Sequence, residues 1–88
     1  MVWTIEYSET ARKALKRVDR QSAKRITSFL DTRIAVAESP RRIGKALHAQ
    51  LDTYWSYRVG DFRLICEIHD AILKVLVVKI GHRGDVYR

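Results

Sequence analysis

The amino-acid sequence predicts an α+β fold in which two N-terminal helices pack on one face of a small antiparallel sheet, in the order strand, helix, helix, strands. Three observations predict it: an alternating apolar segment near the N-terminus, two stretches with apolar residues at three- and four-residue spacing, and a C-terminal half of alternating segments separated by short turns. A chain of 88 residues has room for one hydrophobic core, so residues 1–88 are interpreted as a single domain.

The N-terminal half contains the first strand and both helices. Residues Val2 to Tyr7 alternate between two faces, which is typical of a half-buried strand. Ser8 is a predicted N-cap of a short amphipathic helix, and Asp19 is a predicted N-cap of the next one. The apolar stripe of the second helix runs from Ala23 to Ala37, and Ser39-Pro40 ends it because proline disfavours helical geometry in the residue before it.

The sequence pattern of the C-terminal half predicts a meander of antiparallel strands. Residues Arg41 to Thr53 form a turn-rich connection around Gly44, with a brief strand at Lys45 to Leu47. Three longer strands follow, separated by turns at 60–61 and 70–71, and a polar tail closes the chain: Tyr54 to Val59, Phe62 to His69, Ile72 to Ile80, and the tail His82 to Arg88.

The chain is strongly basic. Seventeen Lys and Arg against ten Asp and Glu give a formal charge of +7, and residues 1–45 hold eleven of the bases but only five of the acids. A positive field of this size attracts polyanions, so the composition favours nucleic acid or an acidic protein as the partner.

Several other classes of function are disfavoured. The single cysteine, Cys66, lies in an apolar run and cannot form an internal disulfide, which fits a reducing cytoplasm. No stretch approaches the roughly 20 apolar residues of a membrane helix, and the N-terminus lacks the apolar core of a secretory leader. The histidines show no close pair spacing and the glycines stand singly, so neither a zinc site nor a nucleotide cofactor is expected.

Two segments combine residue types that suit RNA. Residues 54–65 set Trp55 and other aromatics beside Arg58 and Arg63 around a tight hairpin. Guanidinium groups suit phosphate and aromatic rings stack on unpaired bases, although the same aromatics are also typical of an ordinary core. Arg63 stands between Phe62 and Leu64 in an apolar strand, and it must therefore face a polar environment.

The tail is the second segment. It brings His82, Arg83 and Tyr87 within six positions of the sequence. Metal-independent RNA cleavage requires removal of the 2′-hydroxyl proton, stabilisation of a crowded phosphate and protonation of the leaving oxygen. An imidazole, a guanidinium and a phenol supply these three properties.

These segments carry a family resemblance. The stretch Trp55 to Leu64, with its Tyr-Arg-Val-Gly-Asp-Phe-Arg centre, resembles the central hairpin of RelE/ParE toxins, and Gly81 to Tyr87 is similar to their closing motif. The Gly44-Lys45-Ala46-Leu47 turn and the aromatic strand before a basic helix pair also match. The resemblance therefore spans almost the whole chain.

The resemblance implies a toxin that is produced with an antitoxin, which wraps the toxin and masks its active surface; the complex would bind operator DNA through the antitoxin. The RelE branch enters the ribosomal A site and cleaves messenger RNA, leaving a 2′,3′-cyclic phosphate and a 5′-hydroxyl. By position, Arg63 and Arg83 would hold and neutralise the scissile phosphate. Tyr87 would stack on or orient a base, or assist proton transfer.

One departure from the family concerns positive charge. Members with well-defined RNase activity often carry lysines on the strand before the hairpin, where this chain has Trp55, Ser56 and Tyr57. Lys45, Arg58 or His82 could replace that charge, and an imidazole that titrates near neutrality could also carry a proton. The predicted RNA-binding residues are Lys45, Trp55, Arg58 and Arg88, beside the predicted catalytic residues Arg63, His82, Arg83 and Tyr87.

Two other functions fit the same sequence. A ParE-like toxin would share the fold but inhibit DNA gyrase by binding it. The missing lysines favour that function or a weakened enzyme, whereas the closing motif with His82, Arg83 and Tyr87 favours the RNase branch. A plain basic module would bind RNA through its helix pair without cutting it, with strongly salt-dependent affinity.

Overall fold

A computed structural model describes residues 2–47 and 54–82. Its elements in chain order are β1 (Thr4–Tyr7), α1 (Glu9–Arg17), α2 (Arg20–Phe29), a π-helical turn (Leu30–Ile34), a 3₁₀ turn (Pro40–Arg42), β2 (Lys45–Ala46), β3 (Tyr54–Val59), β4 (Phe62–His69), a second 3₁₀ turn (Asp70–Ile72) and β5 (Lys74–His82). Within these two ranges, no helix has the length and apolar character needed to cross a membrane.

The strands form one five-stranded sheet in the order β1-β5-β4-β3-β2. The four strands from β2 to β5 pair antiparallel as predicted, whereas β1 lies parallel to β5, with Thr4 opposite Lys74. The sheet is therefore mixed and not purely antiparallel. The alternation within a strand does not specify its direction, because both kinds of pairing place successive side chains on opposite faces.

The predicted bounds of β3 and β4 are confirmed, and those of β5 shift by two residues at each end. Leu73 adopts a left-handed conformation with φ of 49°, so the chain turns there before β5 begins at Lys74. A bulge between β4 and β5 then places an extra residue, Val78, beside Ile65.

Ser8 joins α1 to the sheet. Its hydroxyl accepts the backbone N–H of Ala11 at 3.0 Å, which caps the helix as predicted, and it donates to the carbonyl of Val78 at 2.6 Å. Asp19 caps α2 by accepting the N–H of Ser22 at 3.0 Å. Both helices thus begin at the residues that their sequences predict.

The second helix ends earlier than predicted. The apolar stripe suggested a helix that reaches Ala37, but regular α-helix ends at Phe29 and a π-helical turn continues to Ile34. The N–H of Ala35 bonds to the carbonyl of Leu30 at 2.8 Å, and the carbonyl of Ala35 accepts the N–H of Trp3 at 2.7 Å. Backbone bonding to the N-terminal segment thus replaces continuation of the helix.

The core lies between the helix pair and one face of the sheet. Its fully buried members include Ile26 and Leu30 from the second helix and Leu64, Cys66 and Val77 from the sheet. The ring of Phe29 meets that of Tyr57 edge-on at 5.9 Å. Burying each such aliphatic side chain contributes roughly 1.5–3 kcal/mol, so this layer holds the helices on the sheet.

The opposite side of the sheet, here called the open face, carries the other alternate residues. In register across β2 to β5, it holds one row of Lys45, Ser56, Ile65 and Lys79 and a neighbouring row of Arg58, Arg63 and Gly81. The alternation of side chains along each strand puts these residues on the side that does not contact the helices.

Three consecutive side chains of β3 hold the segment that leads into β2. The indole N–H of Trp55 donates to the carbonyl of Ile43 at 2.6 Å, the hydroxyl of Ser56 donates to the carbonyl of Lys45 at 3.3 Å, and the buried hydroxyl of Tyr57 donates to the carbonyl of Pro40 at 2.6 Å. Burial raises the pKa of Tyr57, so its phenol remains a donor at neutral pH.

Gly44 lies in the middle of this held segment. Its φ is +76°, and a Cβ there would meet the carbonyl oxygen of Ser56 and stand 2.8 Å from the Tyr57 ring. Near the start of the same segment, the guanidinium of Arg41 forms a two-bond salt bridge with Asp70 at 2.8 and 2.9 Å. The path of the chain from Pro40 to Lys45 is thus fixed from both sides.

We expect Gly44→Ala to destabilise the fold more than Gly60→Ala. Both glycines have positive φ, but the nearest atoms to a Cβ at Gly60 are 3.6 Å away. Backbone strain of about 1–3 kcal/mol applies to both positions, whereas overlap with the Ser56 carbonyl applies only to Gly44. Urea unfolding of the two variants measures the difference, and equal losses of stability would show that the segment can move away from β3.

Cys66 should resist alkylation in the folded protein. It is fully buried, and burial raises the pKa of its thiol to about 12. The nucleophilic thiolate is therefore scarce in mildly alkaline buffer, where an exposed thiol of pKa about 8.5 reacts readily. Mass spectrometry after iodoacetamide treatment measures this, with the urea-unfolded chain as the reactive control; equally fast labelling of both would contradict the buried position.

Candidate nucleic-acid interface

A cleft of about 240 Å³ lies on the open face and is lined by Lys45, Arg58 and Arg63, together with Gly44, Ser56 and Tyr57. Three of the sequence-predicted residues therefore share one site. No carboxylate lies within 4 Å of Lys45 or Arg58 among residues 2–47 and 54–82. Lys45 and Arg58 therefore bring positive charge to the cleft that no described acidic group neutralises at that distance.

The hairpin places the two arginines. Strands β3 and β4 pair around the Gly60-Asp61 turn, and Arg58 lies directly opposite Arg63. Like charges on directly paired residues destabilise a sheet, so strand stability does not account for this pairing. Two adjacent guanidinium groups are instead suited to an anion that bridges them, such as a phosphate.

Arg63 is anchored more firmly than Arg58. Its Nε atom is buried, and the residue as a whole is half-buried between neighbouring strands, whereas Arg58 is exposed. An arginine with a buried stem loses less side-chain entropy when it binds a ligand. Arg63 is therefore the better-ordered cation of the pair.

Lys45 lies at the cleft because the segment from Pro40 to Lys45 is held against β3. It pairs with Ser56 across β2 and β3, and its own carbonyl accepts the Ser56 hydroxyl. Gly44 immediately before it permits the close approach to β3. The described cleft therefore depends on three donors of β3: Ser56 and Tyr57, which stood out in the sequence only as positions without lysine, and Trp55, which was predicted to bind RNA.

Trp55 is not part of this cleft. It was predicted to bind RNA, but it alternates with Ser56 and lies on the helix side of β3, where its ring packs against the core and its N–H bonds to Ile43. This position corrects the expectation that Trp55 acts beside Arg63. The indole N–H already donates to a backbone carbonyl, so the fold alone explains why a tryptophan stands at this position.

His82 is likewise separate from Arg63. It pairs with Phe62, and the two rings meet edge-on at 5.0 Å, next to Val18 of the helix layer. Arg63 instead pairs with Gly81 and belongs to the other face of the sheet. The structure does not bring the imidazole together with the cleft.

The remaining predicted residues, Arg83, Tyr87 and Arg88, lie outside the described residues. Their convergence with Arg63 stays a prediction.

One basic residue of the open face was missed by the sequence analysis. Lys79 was noted only as an interruption of an apolar run, yet it pairs with Ile65, next to Arg63 on the same face. The bulge at Val78 breaks the alternation of β5, so a strict two-residue period counted from Val75 and Val77 would put Lys79 on the helix side. The pairing of Lys79 with Ile65 places it on the open face, and Lys79 also borders a second cleft beside Ala14 and Val18 of the helix layer.

Comparison with known proteins gives a consistent answer. Residues 5–87 match the family described as ParE toxin of the type II toxin-antitoxin system, parDE. Toxin RelG of Mycobacterium tuberculosis is 30% identical over 88 residues, covering all of this chain and 99% of the relative. Toxin RelE of the same organism is 29% identical over 84 residues, covering 96% of this chain and 84% of the relative.

Solved structures share the fold. The chain is similar to a chain in the RelBE2 toxin-antitoxin complex from Mycobacterium tuberculosis, with a TM-score of 0.85, 27% identity and coverage of 97% and 95% of the two chains. A mutant of the Escherichia coli toxin RelE in the free state has a TM-score of 0.78 at 20% identity, with coverage of 99% and 92%. The match of almost the entire sequence, together with the fold, makes this chain a member of the RelE/ParE family of toxins of type II toxin-antitoxin systems.

Proposed function

We propose that this toxin is an endoribonuclease that cleaves messenger RNA in the ribosomal A site without a metal ion and thereby inhibits translation. The observation that supports the proposal most strongly is the cleft in which Lys45, Arg58 and Arg63 meet. Three cationic side chains that converge on one face of a sheet suit a flexible phosphodiester.

The cleft accounts for one part of the chemistry. When the 2′-oxygen attacks phosphorus and the bond to the 5′-oxygen breaks, negative charge builds up on the non-bridging oxygens. Cations that are already in position stabilise that charge without reorganising at the moment of reaction. Arg63 is the best candidate because its stem is buried, and Arg58 and Lys45 bind the strand on either side of it.

The proposal assigns the rest of the chemistry to the tail on the basis of sequence resemblance. Arg83 would share the neutralisation of the phosphate, Tyr87 would orient a base or assist proton transfer, and Arg88 would add a backbone contact. His82 receives no proton-transfer role, because its ring lies against Phe62. Trp55 receives no RNA contact, because its ring and its N–H serve the fold.

The partners follow from the same assignment. The solved relatives from Mycobacterium tuberculosis and Pyrococcus horikoshii are toxin-antitoxin and RelE-RelB complexes. We infer that this toxin also has a cognate antitoxin, that the complex contacts operator DNA through that antitoxin, and that the toxin acts in the cytoplasm, where ribosomes translate.

A second candidate is inhibition of DNA gyrase by protein binding. The family description, ParE toxin, favours it, whereas the toxins found as relatives carry RelG and RelE names. A translation extract and a supercoiling assay separate the two functions. Message cut at ribosome-positioned codons supports the nuclease, and intact message with blocked supercoiling supports the gyrase inhibitor.

Arg63→Ala should lower the rate of message cleavage on programmed ribosomes by about 10²–10³-fold, the usual effect of removing one group that stabilises transition-state charge. Arg63→Lys should recover part of the loss, since it restores charge but not the planar fork. Primer extension over time measures the rates, and unfolding curves show whether each variant retains its fold.

Arg20→Ala is the matched control, because it removes the same charge from the exposed start of α2. It should cleave like the wild type. An equal loss in Arg20→Ala and Arg63→Ala would mean that net charge alone drives the activity, as in a plain basic RNA-binding module.

His82→Ala should retain cleavage activity close to that of the wild type, because the imidazole lies away from the cleft. The same primer-extension assay measures it. Loss of cleavage in a variant that unfolds at the same urea concentration as the wild type would show that His82 takes part in the reaction.

A further inference from the structure

A second row of positive charge crosses the open face beside the two arginines. Lys79 of β5 pairs with Ile65 of β4, Ile65 pairs with Ser56 of β3, and Ser56 pairs with Lys45 of β2. Two lysines thus stand at the ends of a row that spans four strands, and the residues between them carry no charge.

This row is adjacent to the arginine pair. Arg63 and Ile65 are two positions apart on β4, so they share a face, and Lys79 is a diagonal neighbour of Arg63 across the ladder. Diagonal neighbours in a sheet lie about 7–8 Å apart at Cα, within reach of long side chains. Lys79 can therefore contact a phosphate next to the phosphate that Arg63 would bind.

The two residues between the lysines are covered by other parts of the protein. Ser56 is 2% exposed and Ile65 is 6% exposed, although both belong to the open face. Only the lysine ends of the row project into solvent, since Lys45 and Lys79 are exposed. A ligand that crosses this part of the protein can therefore contact the row at its two lysine ends and not at the residues between them.

Among the described residues, the acids of the open face are located in its other half and have their own partners. Glu67 lies 3.0 Å from His69, and Glu6 lies 3.4 Å from Lys74. In the described ranges, no carboxylate comes within 4 Å of Lys79. Lys79 therefore differs from Lys74, which has Glu6 beside it, in having no acidic partner within this distance among the described residues.

We propose that Lys79 binds a phosphate of the RNA strand adjacent to the scissile phosphate, with Lys45 contacting the strand at the other end of the same row. This inference rests on the proposed RNA cleavage and specifies how the strand lies across the sheet. A compact ammonium on a flexible stem suits a backbone contact that holds the strand without reading its sequence.

The test pairs a lysine variant with a neutralised phosphate. Short messages carry a single methylphosphonate, which removes one backbone charge, at each position flanking the cleavage site. Cleavage by wild type, Lys79→Gln and Lys79→Ala is then followed on programmed ribosomes. At one flanking position the methylphosphonate should slow the wild type markedly but add little to the slowing already caused by either variant, because both changes remove the same contact.

Lys13→Ala is the control, since it removes the same charge from the exposed surface of α1. It should keep the full methylphosphonate effect at every position. Additive effects of Lys79 variants and methylphosphonates at all flanking positions, or the same pattern in Lys13→Ala, would overturn the inference while leaving the nuclease function intact. A wild type that cuts no message would overturn both.

Discussion

The site depends on how tightly the segment from Pro40 to Lys45 is held against β3. Three neighbouring side chains, Trp55, Ser56 and Tyr57, donate hydrogen bonds to carbonyls of that segment. The segment lies so close to β3 that there is no room for a side chain at position 44, which is a glycine. The bond from Tyr57 to Pro40 is buried, and a buried carbonyl that loses its donor costs about 1–3 kcal/mol; the other two bonds are part-buried and hold the same path of the chain. The position of Lys45 in the cleft follows from that path.

The sheet separates structural and functional residues by alternation along each strand. Tyr57 and Leu64 face the helices and build the core, whereas Ser56, Arg58 and Arg63 face the other way. Because a shift of one residue would exchange the faces, the buried residues also fix the orientation of the cations. Core packing thereby determines which charged side chains lie on the open face.

Much of the fold could be predicted because its local signals are strong. The caps at Ser8 and Asp19 and the hairpin turn at Gly60-Asp61 each have a distinct chemical signature, and all three are confirmed. The parallel pairing of β1 with β5 could not be predicted in this way, since it joins distant parts of the chain. The π-helical turn after Phe29 could not be predicted from the apolar spacing either; it is followed by Ala35, whose carbonyl accepts the N–H of Trp3 from a distant part of the chain.

The candidate site could be predicted only in part. Arg63 stood out because an arginine in an apolar strand needs a polar surrounding, and Lys45 and Arg58 were chosen for their charge. Trp55 and His82 were chosen by chemistry alone, and their strand positions turn them toward the helices. Lys79 was missed because the bulge at Val78 hides its face from a simple count.

The central claim is that RNA meets the protein on the open face of the sheet. Amide chemical shifts, recorded while the protein is titrated with a short single-stranded RNA that contains a 2′-deoxy linkage and cannot be cut, test it most directly. The account predicts that the largest changes fall on Lys45, Arg58, Arg63 and Lys79, with little change on the exposed residues of α1 and α2. Changes concentrated on the two helices, with the strand residues unaffected, would contradict it.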